Sequence, residues 1–164
     1  MTHTHNTLPR ATSLDESEKA ASDLLSCIQS RQDSVQDAIK RFLKYEEEHD
    51  SWAMDIADQD EVYHKSMLQN LALNRRIRGS WHDVDAEEKP NEYCIDLAVG
   101  PQYVRIIGKM ERDRNPVDAV LQYGEGYRWI TYTPPCDPND YAETMTSMSS
   151  ALLAFAKSFD WYRY

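Results

Sequence analysis

Two E-x-x-H spacings stand in the chain, Glu46 with His49 and Glu61 with His64. On a helix, residues three apart share a face, so a carboxylate and an imidazole at that spacing can grip one metal ion. Carboxylate-bridged dimetal bundles use two such pairs plus two further glutamates, on four helices that bring all six groups together in the core. Here the pairs are fifteen residues apart around a helix-helix junction. With a second helix beginning near Ser51, the second pair is carried about 15 to 20 Å along the axis at 1.5 Å per residue. The pairs then do not converge, and in a segment this rich in glutamate the spacing arises easily by chance. A small metalloenzyme with a site at Glu61 and His64 is the catalytic reading that survives. A partly buried structural histidine on the stripe of Leu68 and Leu71 explains His64 equally well.

Other constellations carry less. His82, Asp83 and Asp85 form H-D-x-D, but metallohydrolases of that kind need further separated ligands on helices, so a polar loop is the better account. Asp55 to Glu61 offers oxygen ligands without the turn glycine and final glutamate of a calcium loop. Gly108-Lys109 lacks the rest of a phosphate loop, with Tyr103 where the first glycine belongs and Met110 where Ser or Thr belongs. Ile107 stands where a nuclease hairpin would want an acid two before its lysine. Cys27, Cys94 and Cys136 are scattered, form no C-x-x-C pair and have no histidine nearby in sequence, which reads as three reduced thiols. No residue is assigned a catalytic role and no cofactor is expected. The metal candidates stay at Glu46, His49, Glu61 and His64.

The 164 residues include 28 Asp or Glu against 18 Lys or Arg, a formal charge of -10, with 41% hydrophobic and 28% charged residues. That is enough apolar content for a core in a single domain. Binding nucleic acid directly is disfavoured, because each contact would meet repulsion rather than gain from released counterions. No run of 18 apolar residues occurs, and MTHTHNTLPRATS lacks the apolar stretch of a secretory signal. The expectation is a soluble cytoplasmic protein with no membrane-crossing helix.

The elements follow from periodicity. Residues 1 to 12 read as a flexible leader, and 13 to 164 as one α+β domain with helices over 13–79, a sheet over 92–134 and a closing helix over 139–162. Ser13 and Glu16 have capping-box spacing. Ala21, Leu24, Leu25 and Ile28 form a helical stripe that Val35, Ile39, Phe42 and Leu43 resume, as one long helix or two. A further stripe runs through Trp52, Ile56, Tyr63, Met67 and Leu71. Arg75, Arg76, Arg78 and Gly79 look like its stop, cations at the negative end of the dipole followed by a glycine. The period then changes to two: Tyr93, Ile95, Leu97 and Val99, then Val104, Ile106 and Met110, then Ala119, Leu121 and Tyr123, then the strand Tyr127 to Thr133. Short links imply a four-stranded antiparallel meander. Tyr141, Met145, Met148, Leu152, Phe155, Phe159 and Tyr162 form a seam expected to lie on the sheet, or alternatively to pair two copies as a homodimer.

The strongest composition signal lies from Tyr45 to His64, where Glu46, Glu47, Glu48, Asp50, Asp55, Asp58, Asp60 and Glu61 occur without a single Lys or Arg. If the preceding helix ends near Glu48, three carboxylates sit at its negative pole, at roughly 0.3 to 1 kcal/mol per exposed charge. Either the helix runs on past Asp50 or these acids serve something other than the helix. The leading expectation is a non-enzymatic interaction protein, an adaptor, chaperone or inhibitor. Its acids, with Trp52 as apolar anchor, dock on a basic surface of a partner protein, one whose own ligand is a nucleic acid being a natural fit. A solvated helix hairpin is the bland alternative. A third class is a small-ligand carrier using sheet aromatics around Trp129, against which stands simple cross-strand aromatic pairing.

Overall fold

The computed structural model describes residues 13–78, 91–125 and 127–162, with Ser13 described by its backbone alone. The leader, the Ser13 capping hydroxyl, Gly79 and the H-D-x-D run of His82, Asp83 and Asp85 therefore lie outside the described residues. The chain is α+β. Helix α1 (Ser13–Glu47) is followed by α2 (Ser51–Gln69), strands β1 (Asn74–Arg78), β2 (Glu92–Ala98), β3 (Tyr103–Lys109), β4 (Val120–Glu125) and β5 (Arg128–Thr131), and helix α3 (Tyr141–Lys157). The strands form one antiparallel sheet in the order β1-β2-β3-β4-β5. Among the described residues no helix is long and apolar enough to cross a membrane.

Alternation decides what each strand presents. Tyr93, Ile95 and Leu97 on β2, Val104 and Ile106 on β3, and Leu121 on β4 are buried. They meet Ala21, Leu25 and Ile28 of α1 and Met148, Leu152 and Phe155 of α3 in one core. Each fully buried Leu, Ile or Phe there contributes roughly 1.5 to 3 kcal/mol relative to exposure. Ser17 is the polar member of that interface, and its hydroxyl accepts the Tyr103 N–H at 3.0 Å where β3 begins beneath α1. The α3 seam thus has its centre in the chain's own core, while Tyr141 and Tyr162 at its ends stay exposed.

Three features depart from the expected pattern. First, the sheet has five strands. Asn74–Arg78 is an edge strand paired with β2 rather than the stop of α2, which ends at Gln69. The residues N-R-R-I-R alternate exposed and half-buried, and Ile77 faces the core side opposite Tyr93. Tertiary pairing overrides the local helix-stop signal. Second, a register shift between Asp96 and Ala98 turns the end of β2, leaving Val99 exposed instead of inward. Third, α3 ends at Lys157, and beyond it Trp161 turns back into the core, its indole N–H donating to Ala156 O at 2.8 Å.

A single helix of 35 residues, Ser13–Glu47, spans the region read as one helix or two, and it is roughly 50 Å long. It packs on β3, β4 and α3, with Ala21, Leu25 and Ile28 in the core, and pairs with α2, which it reaches through Arg31 and Arg41. Along that pairing Val35, Ala38 and Ala57 are buried, outside the main core cluster. From residue 39 to residue 56 no side chain is buried. The far end of the α1–α2 hairpin is therefore thin and open.

Candidate functional site

The tip of that hairpin carries the acidic segment. Helix α1 stops in a Schellman turn: the Asp50 N–H bonds to Tyr45 O at 3.0 Å and the His49 N–H to Glu46 O at 3.2 Å. His49 occupies the left-handed position with φ 56° that glycine usually fills. Asp50 then caps α2 at once, its carboxylate accepting the Ala53 N–H at 3.1 Å. Two helices meet with a single shared hinge residue between their caps. Because α1 ends at Glu47, Glu46 and Glu47 lie in its last turn and Glu48 just beyond, all at the negative pole. Lys44 in that turn is the favourably placed charge.

The eight acids divide into two sets. Asp60 is held by Arg41 at 3.0 Å, which also reaches Asp37 at 3.3 Å, and Glu61 is paired with Lys65 at 2.7 Å. Hydrogen bonding to Asp60 is the main reason the Arg41 guanidinium titrates above its ordinary value. Glu46, Glu47, Glu48, Asp50, Asp55 and Asp58 are exposed. Beside them Trp52 is 75% exposed, with Ile56 and Tyr63 exposed as well. At 3.6 residues per turn these three fall within about 40° of one another on α2. This corrects the stripe expected from sequence: α2 buries Ala57 and Leu68, and Trp52, Ile56 and Tyr63 form a separate apolar strip facing solvent. Ala57 and Leu68 hold the packed side, and Trp52, Ile56 and Tyr63 are left on the flank.

The E-x-x-H pairs are placed quite differently from one another. His49 lies past the end of α1 in the left-handed turn, so it does not share a helical face with Glu46. His64 and Glu61 do share α2, but the His64 Nδ1 is 3.1 Å from an Arg31 guanidinium nitrogen, and Glu61 faces Lys65. A ring nitrogen accepting from a guanidinium is occupied as an acceptor. Among the described residues no three His, Cys, Asp or Glu are grouped to hold a metal ion.

A second constellation, not anticipated as a unit, lies on the sheet face away from the helices. Registers place Arg76, Cys94, Ile107 and Val120 in one row and Asn74, Asp96, Arg105 and Gln122 in the next. The first row and Arg105 bound a concavity of about 450 Å³ whose lining also includes Arg78, Glu92, Lys109 and Asp118. Asp96, only 8% exposed, receives Arg76 at 3.0 Å and Asn74 at 3.4 Å. Glu92 pairs with Arg78, and the Asp118 carboxylate accepts the Lys109 backbone N–H at 2.6 Å. Arg105 donates to the neutral Gln122 Oε1 at 2.9 Å and lies over the Trp129 ring, 3.8 Å from its centroid. Burial lowers the Arg105 pKa, and the nearby Arg76 and Arg78 add to that effect. Burial raises the Cys94 thiol, with Asp96 adding to it.

Trp129 reaches this position because Gly124 lies opposite it. A Cβ at Gly124 would come within 2.5 Å of Arg128 O and 3.0 Å of the indole. The sequence signal for the face was present in the outward alternation of Cys94 and Asp96 and of Tyr103, Arg105 and Lys109. It was incomplete because Arg76 and Arg78 read as helix-terminal cations. Compared with protein-family models, curated proteins and solved structures, the chain matches none.

Proposed function

We propose that the chain is a non-enzymatic acidic interaction protein whose α1–α2 hairpin tip docks on a basic surface of a partner protein, as an adaptor, chaperone or inhibitor does. The supporting observation is the solvent-facing strip of Trp52, Ile56 and Tyr63 beside exposed carboxylates at Glu46, Glu47, Glu48, Asp55 and Asp58. An exposed aromatic with apolar neighbours and a polar rim has the anatomy of an interface anchor. The fold itself draws no benefit from the acids at 46 to 48, which oppose the α1 dipole. Asp50 has a structural duty as the cap of α2 and belongs to the surface only in part. Asp60 and Glu61, already engaged by Arg41 and Lys65, are secondary contributors.

The partner suited to this tip carries Lys or Arg around an apolar pocket deep enough for an indole. Basic proteins whose own ligand is a nucleic acid fit that description, and the tip would mask the same surface. The test is parallel affinity capture from native lysate on the wild-type chain, on Trp52→Ala and on the amide variant with Glu46→Gln, Glu47→Gln, Glu48→Gln and Asp55→Asn. A basic protein retained by wild type at low salt, released at high salt and lost from both variants supports the reading. Retention unchanged in both variants contradicts it.

A further inference from the structure

We infer that the open face of the sheet binds a small organic anion, a carboxylate, sulfonate or phosphate on an apolar body, seated over Ile107 and Val120 with its charge toward Arg105, Arg76 and Lys109. The two carboxylates lining the concavity are already engaged inside the protein, Glu92 by Arg78 and Asp118 by the Lys109 backbone, and Asp96 in the adjoining row is held by Arg76 and Asn74. The Arg105 guanidinium by contrast donates to a neutral amide oxygen. Its plane is fixed by Trp129, 3.8 Å away, so its remaining N–H groups are oriented before any ligand arrives.

The floor is apolar where Ile107 and Val120 meet across the β3–β4 pairing. Its volume of about 450 Å³ falls in the range of ordinary small-ligand sites, which combine an apolar lining with a few placed polar groups. A bare inorganic anion would leave that floor wet, and a neutral apolar molecule would bring no charge to the Arg105 and Lys109 side of the concavity. An amphiphilic anion satisfies both. This site is independent of the hairpin tip, which lies on other elements.

The experiment uses 8-anilinonaphthalene-1-sulfonate, an apolar body bearing a single sulfonate, and its uncharged analogue N-phenyl-1-naphthylamine. The full chain should bind the sulfonate saturably at one site, and the uncharged analogue at least about tenfold more weakly, the size of a lost hydrogen bond to a charged group. Arg105→Met, which keeps a chain on Trp129, should weaken the sulfonate by a similar factor with unchanged circular dichroism. The exposed variant Lys109→Ala should weaken it by a few-fold, without disturbing the Arg105–Trp129 stack. Trp52→Ala should bind as wild type, which separates this site from the docking strip. In a Cys27→Ser, Cys136→Ser background, bound sulfonate should slow alkylation of Cys94 by iodoacetamide. Equal binding of the two dyes, binding indifferent to both Arg105→Met and Lys109→Ala, or a Cys94 rate unchanged at saturation would overturn the assignment.

Discussion

Arg41 on α1 grips Asp60 on α2 at 3.0 Å, and that bridge divides the acidic segment into a neutralised base and a charged tip. Below it the hairpin's own cations meet its carboxylates; above it, from Glu46 to Asp58, they do not. Asp60→Asn is therefore expected to leave partner affinity unchanged within about twofold, because the Asp60 carboxylate is already neutralised by Arg41 and adds little to the charge of the tip. Equilibrium binding of this variant beside Glu47→Gln checks the division: a large loss from Asp60→Asn would place the docking surface lower on the hairpin.

Stability and binding should move in opposite directions at the tip. Glu46→Gln, Glu47→Gln and Glu48→Gln remove charges from the negative pole of α1, so each should stabilise the fold by about 0.3 to 1 kcal/mol at low ionic strength. The same changes should weaken capture of a basic partner. Urea unfolding of the triple variant, run alongside its binding assay, would show a higher midpoint with a lower affinity. A lower midpoint would mean that the acids support the fold.

His49 holds a left-handed conformation, φ 56°, at the end of α1. A side chain there costs roughly 1 to 2 kcal/mol, partly offset by the greater chain entropy that glycine loses on folding. His49→Gly should accordingly raise stability by about 0.5 to 1 kcal/mol. His49→Val should lower it, since a β-branched residue is the poorest occupant of that position. Thermal unfolding of the two variants decides the sign.

Much of the architecture was legible because a single periodicity governed each element. Ala21, Leu25 and Ile28, or Val104 and Ile106, have one packed side, and the pattern names it. The misreadings fall where two signals compete. Arg75, Arg76 and Arg78 satisfy a helix stop locally, and only pairing with β2, remote in sequence, makes them a strand. Trp52, Ile56 and Tyr63 are large apolar residues of α2, yet the positions it buries are Ala57 and Leu68. The acids of the tip could be read directly, because charge without nearby countercharge is a property of sequence. The concavity over Ile107 could not, because its rows depend on register.

On the sheet, Gly108 lets the Tyr93 ring lie against the backbone while the Tyr93 hydroxyl donates to Asp118 O at 2.5 Å. A Cβ at Gly108 would stand 2.1 Å from Asp118 O and 2.6 Å from the Tyr93 ring. Since backbone cannot yield as a side chain can, Gly108→Ala should cost about 1 to 3 kcal/mol. Chemical denaturation measures it, and a neutral result would show that the β3–Asp118 approach is loose.

Alkaline pH should destabilise the fold through the same neighbourhood. Burial raises the Cys94 thiol above its ordinary value of 9.0 and raises the Tyr93 phenol above 10.0. Both groups hold their protons more tightly folded than unfolded, so their stabilising effect is intact below the unfolded values and is lost as pH rises past them. Stability should decline from about pH 9 upward, and Cys94→Ala should flatten the first part of that decline. A stability curve level from pH 8 to 11 would contradict the burial of both groups.

The most direct test of docking is the dependence of affinity on salt for the captured basic partner, measured for wild type and for the variant Glu46→Gln, Glu47→Gln, Glu48→Gln, Asp55→Asn. Wild type should bind more weakly as salt rises. The variant should be weaker by roughly tenfold at low salt, with a flatter slope of log Kd against log salt. Identical affinities and slopes for the two chains would show that the negative tip meets no cationic partner.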